Sequence, residues 1–119
     1  MSRHDMSSSK HRNDHRPLSE QVLWILVSLS RQPQHGYSLI RDVEALSDGG
    51  TRLSTGTLYG AIRRLIDDGF IEPIDTADTS RDKQTYQLTQ SGHARLQTEM
   101  GRLQHVVRTA ATHLRRRHA

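Results

Sequence analysis

The sequence predicts a mainly α-helical protein with one small β-hairpin and a long helix at its end. Apolar residues recur at helical spacing in three segments before residue 70. Two short apolar runs then flank a polar loop, which is typical of a hairpin. After residue 89, apolar residues recur alternately four and three positions apart, which is the heptad pattern of a helix that pairs with another helix.

Composition limits the classes of protein that fit. The chain has 119 residues, 17 Lys and Arg against 13 Asp and Glu, a net charge of +4 and a pI near 10.1, so its preferred partner is anionic, either nucleic acid or an acidic membrane. Hydrophobic content of 33% and aromatic content of 4% are low for a self-sufficient monomer, so we expect a second copy to complete the core. The chain lacks cysteine, which excludes disulfides and thiol chemistry.

No apolar run is long enough to span a bilayer, and the N-terminus has no apolar signal segment. We therefore expect a cytoplasmic protein without a membrane partner. Residues 1–16 contain no apolar residue except Met1 and Met6, which predicts a disordered basic tail. The tail is either simply solvated or touches phosphates through its basic residues.

The first helix is predicted over residues 19–30, after Pro17 and a capping Ser19. It is apolar on more than one side, because Trp24 lies off the main stripe, so a partner subunit is expected to cover it. Trp24 either packs in that interface or forms the wall of a cavity for a flat aromatic effector.

The second helix is predicted over residues 36–46 and the third over residues 54–68, with a polar, glycine-containing break at residues 47–50. Two helices joined in this way make a helix-turn-helix. The outer face of the third helix lacks the usual Glu and Lys residues. It carries small, hydroxylated and cationic residues, namely Thr55, Gly56, Tyr59, Gly60, Arg63 and Arg64. Since each glycine costs a helix about 1 kcal/mol, this face predicts close approach to an anionic surface, the DNA major groove.

The hairpin is predicted from residues 70–74 and 83–88, and its hydrophilic loop carries Arg81, with Lys83 close behind. A hairpin after a helix-turn-helix is a wing. Residues 17–89 are thus predicted to form a winged helix-turn-helix domain, and residues 90–119 a dimerisation helix that begins after a capping Thr89. The heptad seam of this helix consists of Leu96, Met100, Leu103, Val107, Ala110 and Leu114. The alternative is that this helix packs on its own domain.

Three separated motifs resemble one family. They are His35-Gly36-Tyr37, then Gly56-Thr57-Leu58-Tyr59 with Arg64-Leu65 and Gly69-Phe70-Ile71, then Tyr86 with Leu88-Thr89 and Gly92. In this order and spacing they resemble the PadR-like transcriptional regulators, in the compact branch with a single helix after the wing. The match covers about residues 18–96.

The resemblance implies a winged dimer that binds a near-palindromic DNA operator, represses transcription and leaves DNA when a small molecule binds. It also implies that residues 54–59 enter the major groove, that Tyr37 contacts a phosphate, and that Arg81 and Lys83 hold the wing on DNA. One difference from the family is Asp82, an acid within the wing's basic run.

Each candidate DNA contact has its own chemistry. Ser54, Thr55 and Thr57 offer hydroxyls beside the unpaired N–H groups of a helix N-terminus. Tyr59 either bonds a phosphate or wedges its ring between helices. Arg63, the first choice, or Arg64 either pairs with guanine, worth about 1–3 kcal/mol of discrimination, or neutralises phosphate.

Other functions find little support in the sequence. Of the eight histidines only His11 and His15 lie four residues apart, and both belong to the predicted disordered tail, so no metal site and no cofactor are predicted. A metal-responsive DNA-binding protein remains a weaker alternative. No catalytic constellation is present, so we do not expect an enzyme. The main alternative is a winged-helix module that binds protein and carries an incidental basic surface.

Overall fold

A computed structural model describes residues 16–74 and 84–118 of the chain. In that range four helices and three short strands follow one another. They are α1 (Glu20–Arg31), β1 (Gln34–His35), α2 (Gly36–Leu46), α3 (Thr55–Asp67), β2 (Ile71–Ile74), β3 (Thr85–Leu88) and α4 (Gln90–His118). The mainly helical class and the long last helix are as predicted.

Side-chain caps begin three of the helices where the sequence placed them. The hydroxyl of Ser19 accepts a hydrogen bond from the Val22 amide at 3.2 Å, and Ser54 accepts one from the Thr57 amide at 3.1 Å. Thr89 does the same for the Gly92 amide at 3.0 Å. Because each cap satisfies an amide that has no partner within the helix, the caps fix the three start points.

The sheet has one strand more than predicted. Its order is β1-β3-β2, with both pairs antiparallel, so β3 is central and β1 covers its second edge. In the register, Ile74 and His35 both lie opposite Thr85, and Gln34 lies opposite Tyr86. The sequence pattern does not reveal β1, because a strand of two residues has no alternation to detect.

The core lies within one compact unit, residues 18–96, formed by the first three helices, the sheet and the start of α4. Ile25, Leu26, Leu39, Val43 and Leu58 are fully buried in it. Leu96 is also part of this core and only 6% exposed. The prediction that Leu96 belongs to the dimer seam is therefore corrected, because its side chain is already covered by its own chain.

A polar cluster built around the buried Ser28 joins α1, β1 and α2, and nothing in the sequence pattern revealed it. Ser28, which has no exposed surface, donates a short hydrogen bond to the Asp42 carboxylate. Gln34 donates to both of these side chains, at 2.6 Å to the Ser28 hydroxyl and 3.1 Å to Asp42. Arg31 completes the cluster with an ion pair to Asp42 at 3.1 Å. The cluster fixes the start of α2 relative to α1.

Among the described residues, the second compact unit contains residues 16–17 and residues 97–118 of α4. Arg102 makes two hydrogen bonds to the Glu99 carboxylate there, at 2.6 and 3.1 Å, and this interaction raises the pKa of Arg102. Across the described residues, no helix combines the length and the apolar character that crossing a bilayer requires.

Candidate nucleic-acid interface

The N-terminus of α3 presents hydroxyls and backbone amides on an exposed surface. Thr55, Gly56 and Thr57 are all exposed. The Ser54 hydroxyl is occupied by capping, since it accepts from the Thr57 amide and donates to the Thr57 hydroxyl at 2.9 Å. The hydroxyl of Thr55 makes no hydrogen bond to any residue that the structure describes. This end of α3 can therefore offer Thr55 and the remaining first-turn amides to an anion.

Two arginines extend this surface along α3. Arg63 and Arg64 are exposed, and neither forms an ion pair with a carboxylate among residues 16–74 and 84–118. Arg31 and Arg52 differ, since they pair with Asp42 at 3.1 Å and Glu44 at 3.8 Å. The cations on α3 are therefore available to an external partner.

The glycines of α3 are not required by the packing of this chain. A Cβ atom built on Gly56 or on Gly60 would meet no atom of the described residues within 4 Å. Alanine would suit the helix better at either position by up to about 1 kcal/mol. The space above these two residues is open, as close approach of another molecule requires.

Of the two roles predicted for Tyr59, a bond to phosphate or a ring wedged between helices, the structure shows the second. The residue is 7% exposed and belongs to the core, and its hydroxyl would be 2.6 Å from a Cβ built on Gly36. The ring is thus wedged between α3 and the start of α2, which explains why position 36 is a glycine. We remove Tyr59 from the set of candidate DNA contacts, because a side chain held in the core is not presented to a phosphate.

Tyr37 lies on the outer face of α2 with 56% of its surface exposed, as expected of a residue that contacts an external group. The guanidinium of Arg41 lies over the Tyr37 ring, with Cζ 5.2 Å from the ring centroid. Arg41 was not among the predicted site residues. The available signal was its position four residues after Tyr37, which puts both side chains on one helix face.

Some predicted residues lie outside the described range. These are Arg81 and Lys83 of the predicted wing loop, together with the basic tail up to residue 15. The strands that bear the loop, β2 and β3, are described and pair as a hairpin.

The residues predicted for the dimer interface lie on α1 and α4. Trp24 is half-buried against the core, and its indole N–H donates to Glu20 at 2.8 Å. On α4, Met100, Val107 and Leu114 are 48%, 65% and 59% exposed, Ala110 is exposed and Leu103 is partly buried. A row of large apolar side chains along an exposed helix face is a surface that another molecule can cover.

No three His, Cys, Asp or Glu side chains of the described segments come together in a way that could hold a metal ion. His93, His105 and His113 are exposed along α4.

Solved structures share this fold. A transcriptional regulator from Clostridium thermocellum aligns with a TM-score of 0.67 at 19% identity, over 80% of this chain and 96% of its own. A PadR family transcription regulator from Clostridium difficile aligns with a TM-score of 0.67 at 18% identity, over 81% of this chain and 99% of its own. Bacillus subtilis PadR in complex with operator DNA aligns with a TM-score of 0.58 at 24% identity, over 68% of this chain and 46% of its own. At these identities the similarity establishes the fold.

No curated protein matches the chain. The sequence model of the transcriptional regulator PadR-like family, however, matches residues 25–98, which run from within α1 through β3 into the start of α4. This match covers more than half of the chain and includes all three motifs that carried the resemblance. The chain therefore belongs to the PadR-like family of transcriptional regulators.

Proposed function

We propose that this PadR-like regulator binds double-stranded DNA through the outer face of α3 and represses transcription from a near-palindromic operator. The observation that carries the proposal is the composition of that face. It combines an exposed helix N-terminus, two glycines with open space above them and two arginines with no carboxylate partner in the described segments. The Bacillus subtilis PadR of similar fold was solved with operator DNA, which supports the assignment.

The contacts divide into two kinds. Thr55, Thr57 and the first-turn amides of α3 are suited to phosphate, which positions a protein on DNA without reading sequence. Arg63 is our candidate for base reading, because its planar guanidinium matches the two acceptors of guanine in the major groove. We assign Arg64 to phosphate neutralisation. We retain Arg81 and Lys83 as wing contacts on the strength of the sequence alone.

We propose a homodimer joined through α4. The supporting observation is the apolar row of Met100, Leu103, Val107, Ala110 and Leu114, which is largely exposed in the single chain. A two-fold dimer presents two copies of α3, so the operator should consist of two inverted half-sites about one helical turn apart.

We further propose that a small aromatic molecule releases the dimer from DNA. Trp24 supports this part of the proposal, since it is an indole that its own chain only half covers, on a helix that we expect to face the partner subunit. Quenching of Trp24 fluorescence in the intact dimer by a panel of flat aromatic compounds tests it. Quenching that leaves DNA affinity unchanged would contradict the effector role, and absence of quenching would favour simple packing.

The alternative, a module that binds protein, predicts apolar anchors on the outer face of α3. That face instead carries Thr55, Gly56 and Arg63, all exposed. Selection of duplexes from a random-sequence pool by the full chain, followed by binding measurements at several salt concentrations, separates the two functions. DNA binding predicts an enriched palindromic sequence and an affinity that falls steeply with salt. Recovery of no common sequence, with weak binding to every duplex, would overturn the proposed function.

A further inference from the structure

We infer that Arg41 is a DNA-backbone contact that the ring of Tyr37 holds in position. The inference rests on the proposed function, and it adds a residue on α2 to candidate DNA contacts that so far lie mainly on α3. It starts from a cation–π contact between Arg41 and Tyr37.

The pair lies on the solvent side of α2. Leu39 and Val43, on the other side of this helix, are fully buried, whereas Tyr37 is 56% exposed and Arg41 is also exposed. The fold therefore gains no core packing from either side chain. Neither one makes a further hydrogen bond or ion pair to the described part of the chain.

Arg41 also forms no ion pair with the described residues, although acids are near. Glu44 and Asp48 line the same shallow depression as Arg41, yet neither forms an ion pair with it. Glu44 pairs with Arg52 instead, at 3.8 Å. The guanidinium of Arg41 is thus open to an external anion, whereas that of Arg52 already has a carboxylate partner.

Stacking on Tyr37 limits the freedom of the long arginine side chain before any partner arrives. A guanidinium stacked on a ring leaves its N–H edge free to donate, because the stack uses only the flat face of the group. An arginine that is already oriented loses less side-chain entropy when it binds. The phenol hydroxyl of Tyr37 lies on the same exposed helix face and can donate a hydrogen bond to phosphate. Together the two residues form a phosphate-binding pair, in which Tyr37 is both a contact and the positioning residue for Arg41.

The test uses full-length protein and two duplexes of equal length, one selected by the wild-type protein from a random pool and one with the same bases scrambled. Arg41→Ala should weaken binding to both duplexes by the same factor. A contact that releases about 0.9 counterion contributes about eightfold at ~0.1 M salt, and its loss should lower the salt slope by about one unit per protomer. Arg52→Ala is the matched control, since it removes the same charge from a paired arginine. Its effect on both affinity and slope should be clearly smaller.

A double-mutant cycle tests the positioning role of Tyr37. Arg41→Ala should have its full effect in a Tyr37→Phe background, which keeps the ring, and a reduced effect in a Tyr37→Leu background, which removes it. Equal effects in all backgrounds would overturn the positioning role. Because both side chains are exposed, the melting temperatures of these variants should stay close to that of the wild type.

The outcomes separate this inference from the proposed function. The inference fails and the proposed function stands if two results are obtained together. Arg63→Ala binds the selected duplex more weakly than the wild type does, and Arg41→Ala binds both duplexes with wild-type affinity. An effect of Arg52→Ala as large as that of Arg41→Ala would overturn the inference as well, since only net charge would then matter. A loss confined to the selected duplex would move Arg41 from phosphate to a base. If the wild type selects no sequence and shows no salt-dependent binding, the proposed function fails.

Discussion

Gly92 lies directly against the backbone of Phe70: a Cβ atom built on Gly92 would be 2.0 Å from the Phe70 carbonyl oxygen and 3.0 Å from its carbonyl carbon. The same carbonyl accepts a hydrogen bond from the Thr89 amide at 3.1 Å, so it cannot move away without cost. This contact brings the start of α4 onto the chain that leaves α3.

Replacement of Gly92 by alanine should therefore destabilise the fold by about 1–3 kcal/mol or more, as forced overpacking does. Gly101→Ala is the matched control on the same helix. A Cβ at Gly101 meets nothing within 4 Å, so that variant should gain up to about 1 kcal/mol from helix propensity. Urea unfolding of both variants measures the difference, and equal stabilities would contradict the close contact.

Asp42 should make stability depend on pH in the acid range. Burial raises the pKa of its carboxyl, but hydrogen bonds from Ser28 and Gln34 and the charge of Arg31 outweigh burial, and the pKa is lower than that of an ordinary aspartate. A lowered carboxyl pKa contributes stability that is fully present above the unfolded pKa, about 3.9, and is lost as pH falls through the folded pKa.

The Asp42→Asn variant should thus be less stable than the wild type at pH 7 by about 1–3 kcal/mol, because it leaves the buried Ser28 poorly matched. The difference should shrink as the pH falls below about 4. Asp48→Asn serves as the control, because it makes the same change at an exposed residue. Asp48 has a positive φ, which asparagine tolerates well. A difference between wild type and Asp42→Asn that stays constant from pH 7 to pH 3 would show that the charge of Asp42 is not responsible.

Arg63→Ala should weaken binding to a selected duplex more than binding to a scrambled one, by about 1–3 kcal/mol in the difference, if the guanidinium pairs with guanine. Arg64→Ala should weaken both about equally, because a phosphate contact carries no sequence information. Fluorescence anisotropy with the two duplexes gives both values. An equal loss for Arg63→Ala would place that residue on phosphate.

Gly56→Ala should separate folding from DNA binding. Since a new Cβ at this position meets no atom of the structurally described segments within 4 Å, the variant should melt at the wild-type temperature or above it. The same methyl group should obstruct DNA backbone that approaches α3 and reduce affinity. Wild-type affinity in Gly56→Ala would mean that the DNA stays clear of this part of the helix.

Val107→Glu should convert the proposed dimer into a monomer, because it puts a charge in the middle of the apolar row on α4. Val106→Glu is the matched control, since Val106 is 49% exposed but lies beside the heptad seam. Sedimentation equilibrium gives the two masses. If Val107→Glu remains dimeric, α4 is not the principal interface.

Local chemistry made much of the fold predictable from the sequence. Capping hydroxyls at Ser19, Ser54 and Thr89 gave the helix starts, and Gly69, with a φ of 79°, gave the place where the chain turns away from α3. These signals act within four residues of each other, so one sequence reveals them.

Features made by distant residues were not predictable. The link between Ser28 and Asp42 joins positions 14 apart, and β1 pairs with a strand about 50 residues later. The sequence leaves two roles open for Tyr59 because its ring lies at the edge of the apolar stripe. Only its contact with Gly36 shows that the ring packs between helices. Arg41 was missed because a single arginine on a helix is ordinary until its stacking partner is seen.

The register of the sheet bears on how loops can vary among proteins of this type. Ile74 and Thr85 lie opposite each other, and Thr85 is also opposite His35, so both ends of the segment between β2 and β3 are fastened to a three-stranded base. The pairing of β2 with β3 then fixes the distance between the two ends of the connecting loop, whatever the length of the loop. The segment of residues 75–83 is therefore a suitable site for grafting: an exchange of this stretch between regulators should alter what the wing contacts while the base beneath it stays intact.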